Sequence, residues 1–275
     1  MGKIWSLVIG LLFCTTLAAQ NATQITWFGH AAFEITTPKG LVLMIDPWLT
    51  NPMNPDKDKA VKAVKRLDYI LLTHGHFDHV GDTVALAKQT KARLVANYEL
   101  GTNMARVLGY PAEQMGFDTL MNSGGEIKLG DGEVTVAMTP AMHSSSLDPA
   151  HDKNKQAPLV YAGNANGFVI QIQHGPTIYH TGDTALFEDM RQIRRYRPNL
   201  ALINIGGHFG MEPSQALACA KLVGAKHVIP HHFQTFPILT PDASSFLTQL
   251  KHAGLHGRVL PIGQTVRLNA KGQWQ

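Results

Sequence analysis

The feature that most constrains this chain is the stretch at residues 73–81, which contains three histidines and one aspartate within six positions. It follows the apolar run at residues 69–72, which has the composition of a buried strand. Imidazole nitrogens and carboxylate oxygens bind divalent transition metals, and such a cluster is costly to a fold unless an ion neutralises it. A histidine-rich polar loop is the alternative, but loop composition rarely places so many ligand-type side chains together. We therefore predict that a buried strand ends in a metal site.

The overall composition is that of a folded protein. The chain has 275 residues, of which 44% are hydrophobic and only 16% are charged, so a substantial core can form and disorder is not expected. The formal charge is +4, with Lys and Arg scattered in ones and twos. Because no basic stripe with interleaved aromatic residues is present, nucleic acid is not an expected partner. A small-molecule substrate is expected instead.

The first 19 residues have the order of a secretory signal peptide. Lys3 precedes the apolar run at residues 4–13, and small residues follow, including Ala18 and Ala19. We predict cleavage after Ala18 or Ala19 and a mature protein that is periplasmic or secreted. The run falls short of the ~20 apolar residues that span a bilayer, so an uncleaved anchor is the weaker alternative. No stable membrane anchor is expected after cleavage.

Removal of the signal peptide would also remove Cys14 and leave Cys219 as the only cysteine, so no internal disulfide is expected. Cys219 lies in residues 215–222, where the apolar spacing indicates a helix. No paired base accompanies it in that segment. We predict a small buried hydrophobe rather than a nucleophile.

Strands and helices alternate along the chain, and the sequence indicates two similar halves. Predicted strands of the first half are residues 24–28 and 31–36, with a bend at Gly29-His30, then 41–45, 69–72 and 93–97, and the predicted helices are 82–90 and 99–108. Predicted strands of the second half are 126–129, 133–138, 167–172, 177–181, 200–205, 227–230, 257–262 and 265–268, and the predicted helices are 190–196 and 212–224.

Ligand-type residues follow strands in both halves. His143 and Asp183 each follow a predicted strand within five residues, as His74 does, and His231-His232 follow another. Two packed α/β halves would produce this pattern if their strand ends met at one rim. Asp46 also follows a strand, and its carboxylate either orients a ligand imidazole or caps the next turn.

Other polar residues are expected near this rim. His30 and His208 both follow glycine in loops, and we predict that they contact the substrate or its oxyanion, with support of the ligands as the alternative. His180 is expected to pack in the core or to support a ligand. Residues 147–159 are predicted to form a surface loop near the entrance of the site, and a plain connection is the alternative.

With these residues assembled, the sequence resembles the metallo-β-lactamase superfamily, and within it the bacterial metal-dependent hydrolases similar to ascorbate-6-phosphate lactonase. The resemblance runs over residues 25–265. Its motifs are His-x-His-x-Asp-His at 74–79, His143, Thr-Gly-Asp-Thr at 181–184, Gly-Gly-His-Phe at 206–209 and His-Phe-Gln-Thr-Phe-Pro at 232–237. The resemblance implies a four-layer αβ/βα sandwich, with two mixed β-sheets flanked by helices, formed by residues 24–272 as a single domain.

The resemblance also implies a site with two divalent metal ions. Carried over residue by residue, one ion would be held by His74, His76 and His143, and the other by Asp78, His79 and His232, with Asp183 as the bridge. The single histidine of the family pattern precedes an aromatic residue, so His232 fits it better than His231. Zn²⁺ is the expected ion, and Mn²⁺ and Fe²⁺ are the alternatives.

Two such ions roughly 3.5–4 Å apart can hold a hydroxide and polarise a carbonyl or phosphoryl oxygen, and Asp78 is then placed to receive or relay a proton. The resemblance therefore implies a hydrolase for a small ester, lactone, amide or phosphodiester. The alternative is a non-hydrolytic metal-binding or redox member of the same fold. A redox role usually needs a flavin or electron-carrier module, and none is recognised in this sequence. The sequence does not fix the oligomeric state and leaves a homo-oligomer open.

Overall fold

The structure is a computed structural model, and it describes residues 22–151 and 157–275. The predicted signal peptide, residues 1–19, lies outside the described residues, as does part of the predicted loop at 147–159. Within the described ranges, no helix combines the length and the apolar character needed to cross a bilayer.

The first sheet is built from the first half of the chain and one C-terminal strand. Its strands are β1 (Thr23–Trp27), β2 (Phe33–Thr36), β3 (Val42–Ile45), β4 (Tyr69–Leu71), β5 (Arg93–Asn97), β6 (Leu120–Met121) and β16 (Thr265–Leu268). Their order in the sheet is β16-β1-β2-β3-β4-β5-β6. Pairing is antiparallel from β16 to β3 and parallel from β3 to β6. The parallel part brings the C-terminal ends of β3, β4 and β5 to one edge.

The second sheet has the same mixed plan. Its strands are β7 (Glu126–Leu129), β8 (Val134–Pro140), β11 (Asn166–Ile172), β12 (Thr177–His180), β13 (Leu200–Asn204), β14 (His227–His231) and β15 (His256–Gly257). Their order is β15-β14-β13-β12-β11-β8-β7, with parallel pairing from β12 to β15. Two short strands that lie between β8 and β11 in sequence, β9 (Ser146–Leu147) and β10 (Val160–Tyr161), pair with each other.

In the part of the chain that the structure describes, six α-helices accompany the sheets. They are α1 (Asp58–Ala63), α2 (Phe77–Val80), α3 (Thr83–Thr90), α4 (Tyr98–Asn103), α5 (Pro213–Val223) and α6 (Ser244–His252). Other helical segments are the π-helix Met104–Leu108 and the 3-10 helices Ala112–Gln114 and Glu188–Tyr196. The start of α5 follows from its sequence, because Pro213 needs no N–H in the first turn and Glu212 and Gln215 form a capping box. The helix ends at Gly224, whose φ of 77° is left-handed and favours glycine.

The core between the two sheets is formed by apolar side chains from both. Phe33 and Ile45 of the first sheet and Val136 and Phe168 of the second are fully buried in one cluster. The same cluster extends to the outer face of the second sheet, where Cys219 of α5 is fully buried. The prediction of Cys219 as a buried hydrophobe is confirmed, and burial raises the pKa of its thiol to about 12.

A second cluster covers the outer face of the first sheet. Ile70 of β4 and Leu94 of β5 pack there with Leu86 of α3 and Leu100 of α4. Helices therefore lie outside both sheets, and the layers run helix, sheet, sheet, helix. The predicted fold class, an α/β protein with two mixed sheets flanked by helices, is confirmed.

Two predictions for the C-terminal region were incomplete. A strand was predicted at residues 257–262, whereas β15 is only His256–Gly257 and the chain then leaves the sheet. Pro261 has no N–H to donate to a neighbouring strand, which disfavours a longer β15. Helix α6 was not predicted, although Phe246 and Leu250 are buried one turn apart on its inner face.

Candidate metal centre

The seven predicted metal ligands converge at the edge where strands of both sheets end. His74 follows β4, and α2 then carries Asp78 and His79. The second sheet supplies His143 after β8, Asp183 after β12 and His232 after β14. All seven contribute atoms to three overlapping groups, each with ligand atoms within 4.8 Å of one another.

The first group consists of His74, His76 and His143. Nε2 of His74 lies 3.0 Å from Nδ1 of His76, so these two nitrogens point at the same region. Gly75 separates the two histidines, and a Cβ there would lie 2.6 Å from the Cβ of Ala162. The glycine therefore lets the loop pack tightly while both imidazoles face the site.

The second group consists of Asp78, His79 and His232, together with His30. Oδ2 of Asp78 lies 3.6 Å from Nε2 of His232 and 4.0 Å from Nε2 of His79. Gly206 provides the space for His232, because a Cβ at Gly206 would lie 2.8 Å from Nδ1 of that ring. Both sheets thus contribute side chains to this group.

Asp183 lies between the two groups. Its Oδ2 is 2.8 Å from Nε2 of His232, 3.3 Å from Nε2 of His79 and 3.8 Å from Nε2 of His143. Asn204, at the end of β13, approaches the other oxygen of Asp183 with its amide nitrogen at 3.4 Å. One carboxylate oxygen therefore faces ligands from both groups.

Asp46 orients ligands in both groups through hydrogen bonds. Its Oδ2 accepts from Nδ1 of His79 at 2.8 Å and from the hydroxyl of Thr73 at 2.6 Å, and its Oδ1 accepts from the Thr73 N–H. The Thr73 oxygen lies 3.0 Å from Nδ1 of His74, which can donate to it. Both histidines then keep Nε2 free for a metal, as metal-binding histidines usually do. Of the two sequence interpretations of Asp46, the structure selects the orienting one.

His30 supports Asp78 and is too buried to contact a substrate. Its ring is fully buried, with Nε2 3.0 Å from Oδ2 of Asp78 and Nδ1 2.7 Å from the hydroxyl oxygen of Thr235. The prediction of a direct substrate or oxyanion contact for His30 is therefore wrong. The physical reason is that both ring nitrogens are occupied by side chains of the protein.

Three further histidines are placed by the structure. His231 is fully buried and belongs to none of the three groups, and its ring stacks on that of His180 at 4.5 Å. Of the adjacent pair, His232 is therefore the residue at the site. His180 packs in the core, as predicted. His208 is exposed and packs edge-on against Phe209, so a substrate contact for His208 stays a prediction.

Residues 42–233 match the model of the family described as the beta-lactamase superfamily domain. That match covers more than half of the chain. The chain belongs to the metallo-β-lactamase superfamily.

Similar proteins of this superfamily align over most of the chain. A UPF0173 metal-dependent hydrolase of Thermodesulfovibrio yellowstonii is 44% identical over 262 residues, which cover 94% of this chain and 97% of that protein. Another, from Anaeromyxobacter sp. strain K, is 49% identical over 251 residues, covering 90% and 88%. The structure of Igni18, a metallo hydrolase of Ignicoccus hospitalis, is 33% identical with a TM-score of 0.76, covering 90% of this chain and 99% of Igni18. The chain is accordingly a metal-dependent hydrolase of the metallo-β-lactamase superfamily.

The electrostatics of this superfamily site balance carboxylates against imidazoles. Burial alone would raise the pKa of Asp183, but His232 and His79 outweigh it and hold that pKa well below its ordinary value. Burial alone would lower the pKa of His232, but Asp183 and Asp78 raise it to about 9. The two carboxylates therefore favour the charged form of His232. A divalent cation bound there would require the neutral imidazole.

Buried imidazole nitrogens without a hydrogen-bond partner indicate whether a metal ion fits the site. Among the described residues, nothing hydrogen-bonds the buried Nε2 of His79 or of His232. Oδ2 of Asp183 does lie 3.3 Å from the first and 2.8 Å from the second of these atoms, but not in the direction of a hydrogen bond. Leaving buried polar atoms unpaired is costly, and a shared cation would satisfy them. The donor set of imidazoles and carboxylates fits Zn²⁺, Mn²⁺ or Fe²⁺.

A cavity of about 520 Å³ opens directly above these ligands. Its base includes the ligands Asp78, His143 and Asp183. Its walls are the apolar side chains of Phe77, Phe209, Phe236 and Ile238. These wall residues were not predicted from the sequence, although Phe77, Phe209 and Phe236 lie within the quoted motifs and Ile238 adjoins one.

The described part of the predicted entrance loop lies beside this cavity. His151 stacks on Phe77 with the ring centroids 3.8 Å apart. Since Phe77 forms part of the cavity wall, this end of the loop is near the entrance of the site, as predicted.

Proposed function

We propose that this hydrolase uses two divalent cations, with Zn²⁺ as the expected metal, to hydrolyse a small ester, lactone, amide or phosphodiester. The observation that carries the proposal is the position of Asp183, whose Oδ2 lies within 4 Å of imidazoles from both groups. A carboxylate placed in this way can bridge two cations. The proposal assigns His74, His76 and His143 to one cation and Asp78, His79 and His232 to the other.

When bound, two divalent cations supply hydroxide at neutral pH and polarise the oxygen of the scissile carbonyl or phosphoryl group. The protein keeps the ligands in place for this chemistry. Asp46 fixes His79 directly and His74 through Thr73. Asn204 approaches the outer oxygen of Asp183 and thereby limits its rotation.

Asp78 is the side chain best placed to hold and move a proton. Its side chain is 13% exposed and lines the cavity, whereas that of Asp183 is only 3% exposed. Burial alone would raise the pKa of Asp78, but His79, His232 and His30 together lower it far below the ordinary value. With Asp78 ionised, Nε2–H of His30 donates to it and Nδ1 of His30 accepts from the hydroxyl of Thr235. These two hydrogen bonds hold the carboxylate of Asp78 toward the cavity. There the carboxylate can take a proton from water and pass it to a leaving group.

The metal content and the activity of the purified protein test the proposal together. Elemental analysis of the folded protein is expected to find two metal ions for each chain, and His143→Ala is expected to retain fewer. Exhaustive chelation is expected to abolish ester hydrolysis, and restoring Zn²⁺ to recover it. Full activity with a single bound ion would refute the two-cation proposal. Activity that is unchanged after complete removal of metal would refute the metal-dependent mechanism itself.

We further propose that residues 1–19 direct the protein into the periplasm or out of the cell. The charged, apolar and small-residue order of this segment supports the proposal. N-terminal sequencing of protein recovered from its native host is expected to begin at Ala19 or Gln20. A mature protein that still begins at the first residue would contradict it.

A further inference from the structure

The walls of the cavity above the ligands are almost entirely apolar. Phe77, Phe209, Phe236 and Ile238 form them, and the only hydroxyl side chain among the described lining residues is that of Ser144. Within the described ranges, no lysine or arginine side chain lines this cavity. Among the described lining residues, charges are therefore confined to the ligands at the base.

The apolar wall is held in place by aromatic packing. Phe236 stacks on Trp48 at 5.8 Å, and Phe77 packs edge-on against the same indole at 5.7 Å. At the rim, Phe209 and Ile238 are each 53% exposed. Large apolar side chains left exposed beside a cavity indicate a surface that is covered when a ligand binds.

Clustered lysine and arginine side chains lie outside this cavity. A separate cleft, at the N-terminal end of β14, is lined by Arg194, Arg197, Lys226 and Lys271. A phosphate or carboxylate remote from the scissile group could pair with lysine or arginine side chains in that cleft. No described side chain of the cavity above the ligands offers such a partner. Burial of a charge without a partner is strongly unfavourable.

We propose that the substrate is an uncharged ester or lactone whose apolar chain or ring lies against Phe77, Phe209, Phe236 and Ile238. Only its scissile group would meet the polar base of the cavity. Substrates that carry a second, remote charge would be excluded. The inference rests on the proposed hydrolytic function and narrows its substrate class. A cavity of about 520 Å³ is within the usual range for a small molecule.

Two p-nitrophenyl esters that differ only at the far end of the acyl chain test the inference. p-Nitrophenyl hexanoate ends in a methyl group, whereas mono-p-nitrophenyl adipate ends in a carboxylate at the same distance from the ester. With the metal-loaded protein, and after subtraction of the rate with chelator, kcat/KM is expected to be at least about tenfold higher for the hexanoate. From acetate to butyrate to hexanoate, kcat/KM is expected to rise up to about fourfold for each added CH2. Equal values for hexanoate and adipate, or a preference for adipate, would overturn the inference while leaving the hydrolytic function intact.

Substitutions at the rim give a second test. Ile238→Lys places a cation beside the cavity and is expected to lower kcat/KM for the hexanoate and raise it for the adipate, reducing their ratio about tenfold. Phe117→Lys is the matched control, because Phe117 is 88% exposed and does not line this cavity. That control is expected to leave the ratio unchanged. If the hexanoate-to-adipate ratio of kcat/KM were the same for Ile238→Lys as for the control, the proposed position of the substrate's apolar chain would be contradicted.

Binding measurements separate failure of the inference from failure of the hydrolytic function. Ligand-observed NMR with the metal-loaded protein compares 1-hexanol with 6-hydroxyhexanoate, which differ only in a methyl group and a carboxylate. If no ester is hydrolysed but hexanol binds more tightly, the proposed hydrolysis fails and the apolar site stands. If the hydroxy acid binds equally or more tightly, or if neither compound binds, the inference fails.

Discussion

Asp46→Asn is expected to weaken metal binding even though Asp46 belongs to neither group of ligands. The side chain is fully buried, and its two oxygens accept three hydrogen bonds, one from His79 and two from Thr73. Asparagine has almost the same shape but replaces one oxygen with an NH2 group. In one orientation that group faces the N–H of His79, and in the other it faces the backbone N–H of Thr73. Either orientation places a donor against a donor.

The expected magnitude follows from these contacts. Loss of a partner that orients a ligand typically lowers metal affinity 10- to 100-fold, which corresponds to about 1.4–2.7 kcal/mol. A buried donor left unpaired lowers the free energy of unfolding by about 1–3 kcal/mol in addition. Because Asp46 reaches His79 directly and His74 through Thr73, both metal positions are expected to weaken. Thr73→Val removes only the hydroxyl that links Asp46 to His74. It is expected to weaken the metal position of His74, His76 and His143 more than the other.

Competition with a series of chelators measures the affinity, with the metal retained by the protein determined by elemental analysis. Asp82→Asn is a matched control, since Asp82 accepts the N–H and the hydroxyl of Thr50 in the same pattern as Asp46 accepts those of Thr73. The control is expected to bind metal within about twofold of the parent protein, because Asp82 contacts no ligand histidine. If a folded Asp46→Asn protein bound metal as tightly as this control, the orienting role derived for Asp46 would be refuted.

Three further predictions concern single side chains. Asp78→Asn is expected to lower kcat by about 10²- to 10⁴-fold, with a circular dichroism spectrum like that of the parent, because the proton acceptor at the cavity is lost; an unchanged kcat would remove Asp78 from the mechanism. His232→Leu is expected to lose metal measured by elemental analysis, whereas His231→Leu is expected to retain it, because His231 packs against His180 and away from the three groups; the reverse result would exchange the two assignments. Cys219 is expected to resist iodoacetamide until the protein is denatured, as peptide mass mapping would show, because it is fully buried and its pKa is raised to about 12; rapid labelling of the native protein would contradict the packing of α5.

The metal ligands could be predicted from sequence because their chemistry is concentrated at strand ends. Four ligands fall within residues 74–79, and the backbone of that loop keeps them near one another in any compact fold. The remaining ligands, His143, Asp183 and His232, are remote in sequence but follow strands of the same sheet. Since parallel strands deliver their C-terminal ends to one edge, a strand pattern is sufficient to bring such residues together.

The role of His30 could not be predicted, because it depends on contacts between distant segments. His30 faces Thr235, which is 205 positions away, and Asp78, which is 48 positions away. A glycine before a histidine indicates a turn but not the direction of the ring. The apolar walls of the cavity were missed for the same reason, since Phe77, Phe236 and Ile238 resemble ordinary core residues in a linear sequence.

The site is divided between the two sheets, and this division makes its geometry depend on the central core. The first sheet supplies His74, His76, Asp78 and His79, and the second supplies His143, Asp183 and His232. Backbone hydrogen bonds join residues beside the two sets, from the N–H of His232 to the carbonyl of His30 at 3.1 Å and from the N–H of Asn166 to the carbonyl of Thr73 at 3.0 Å. Buried apolar side chains of both sheets also pack in one cluster between them. A cation bound by both sets of ligands would therefore hold the two sheets together. A change in the packing between the sheets would in turn change the distances between the ligands.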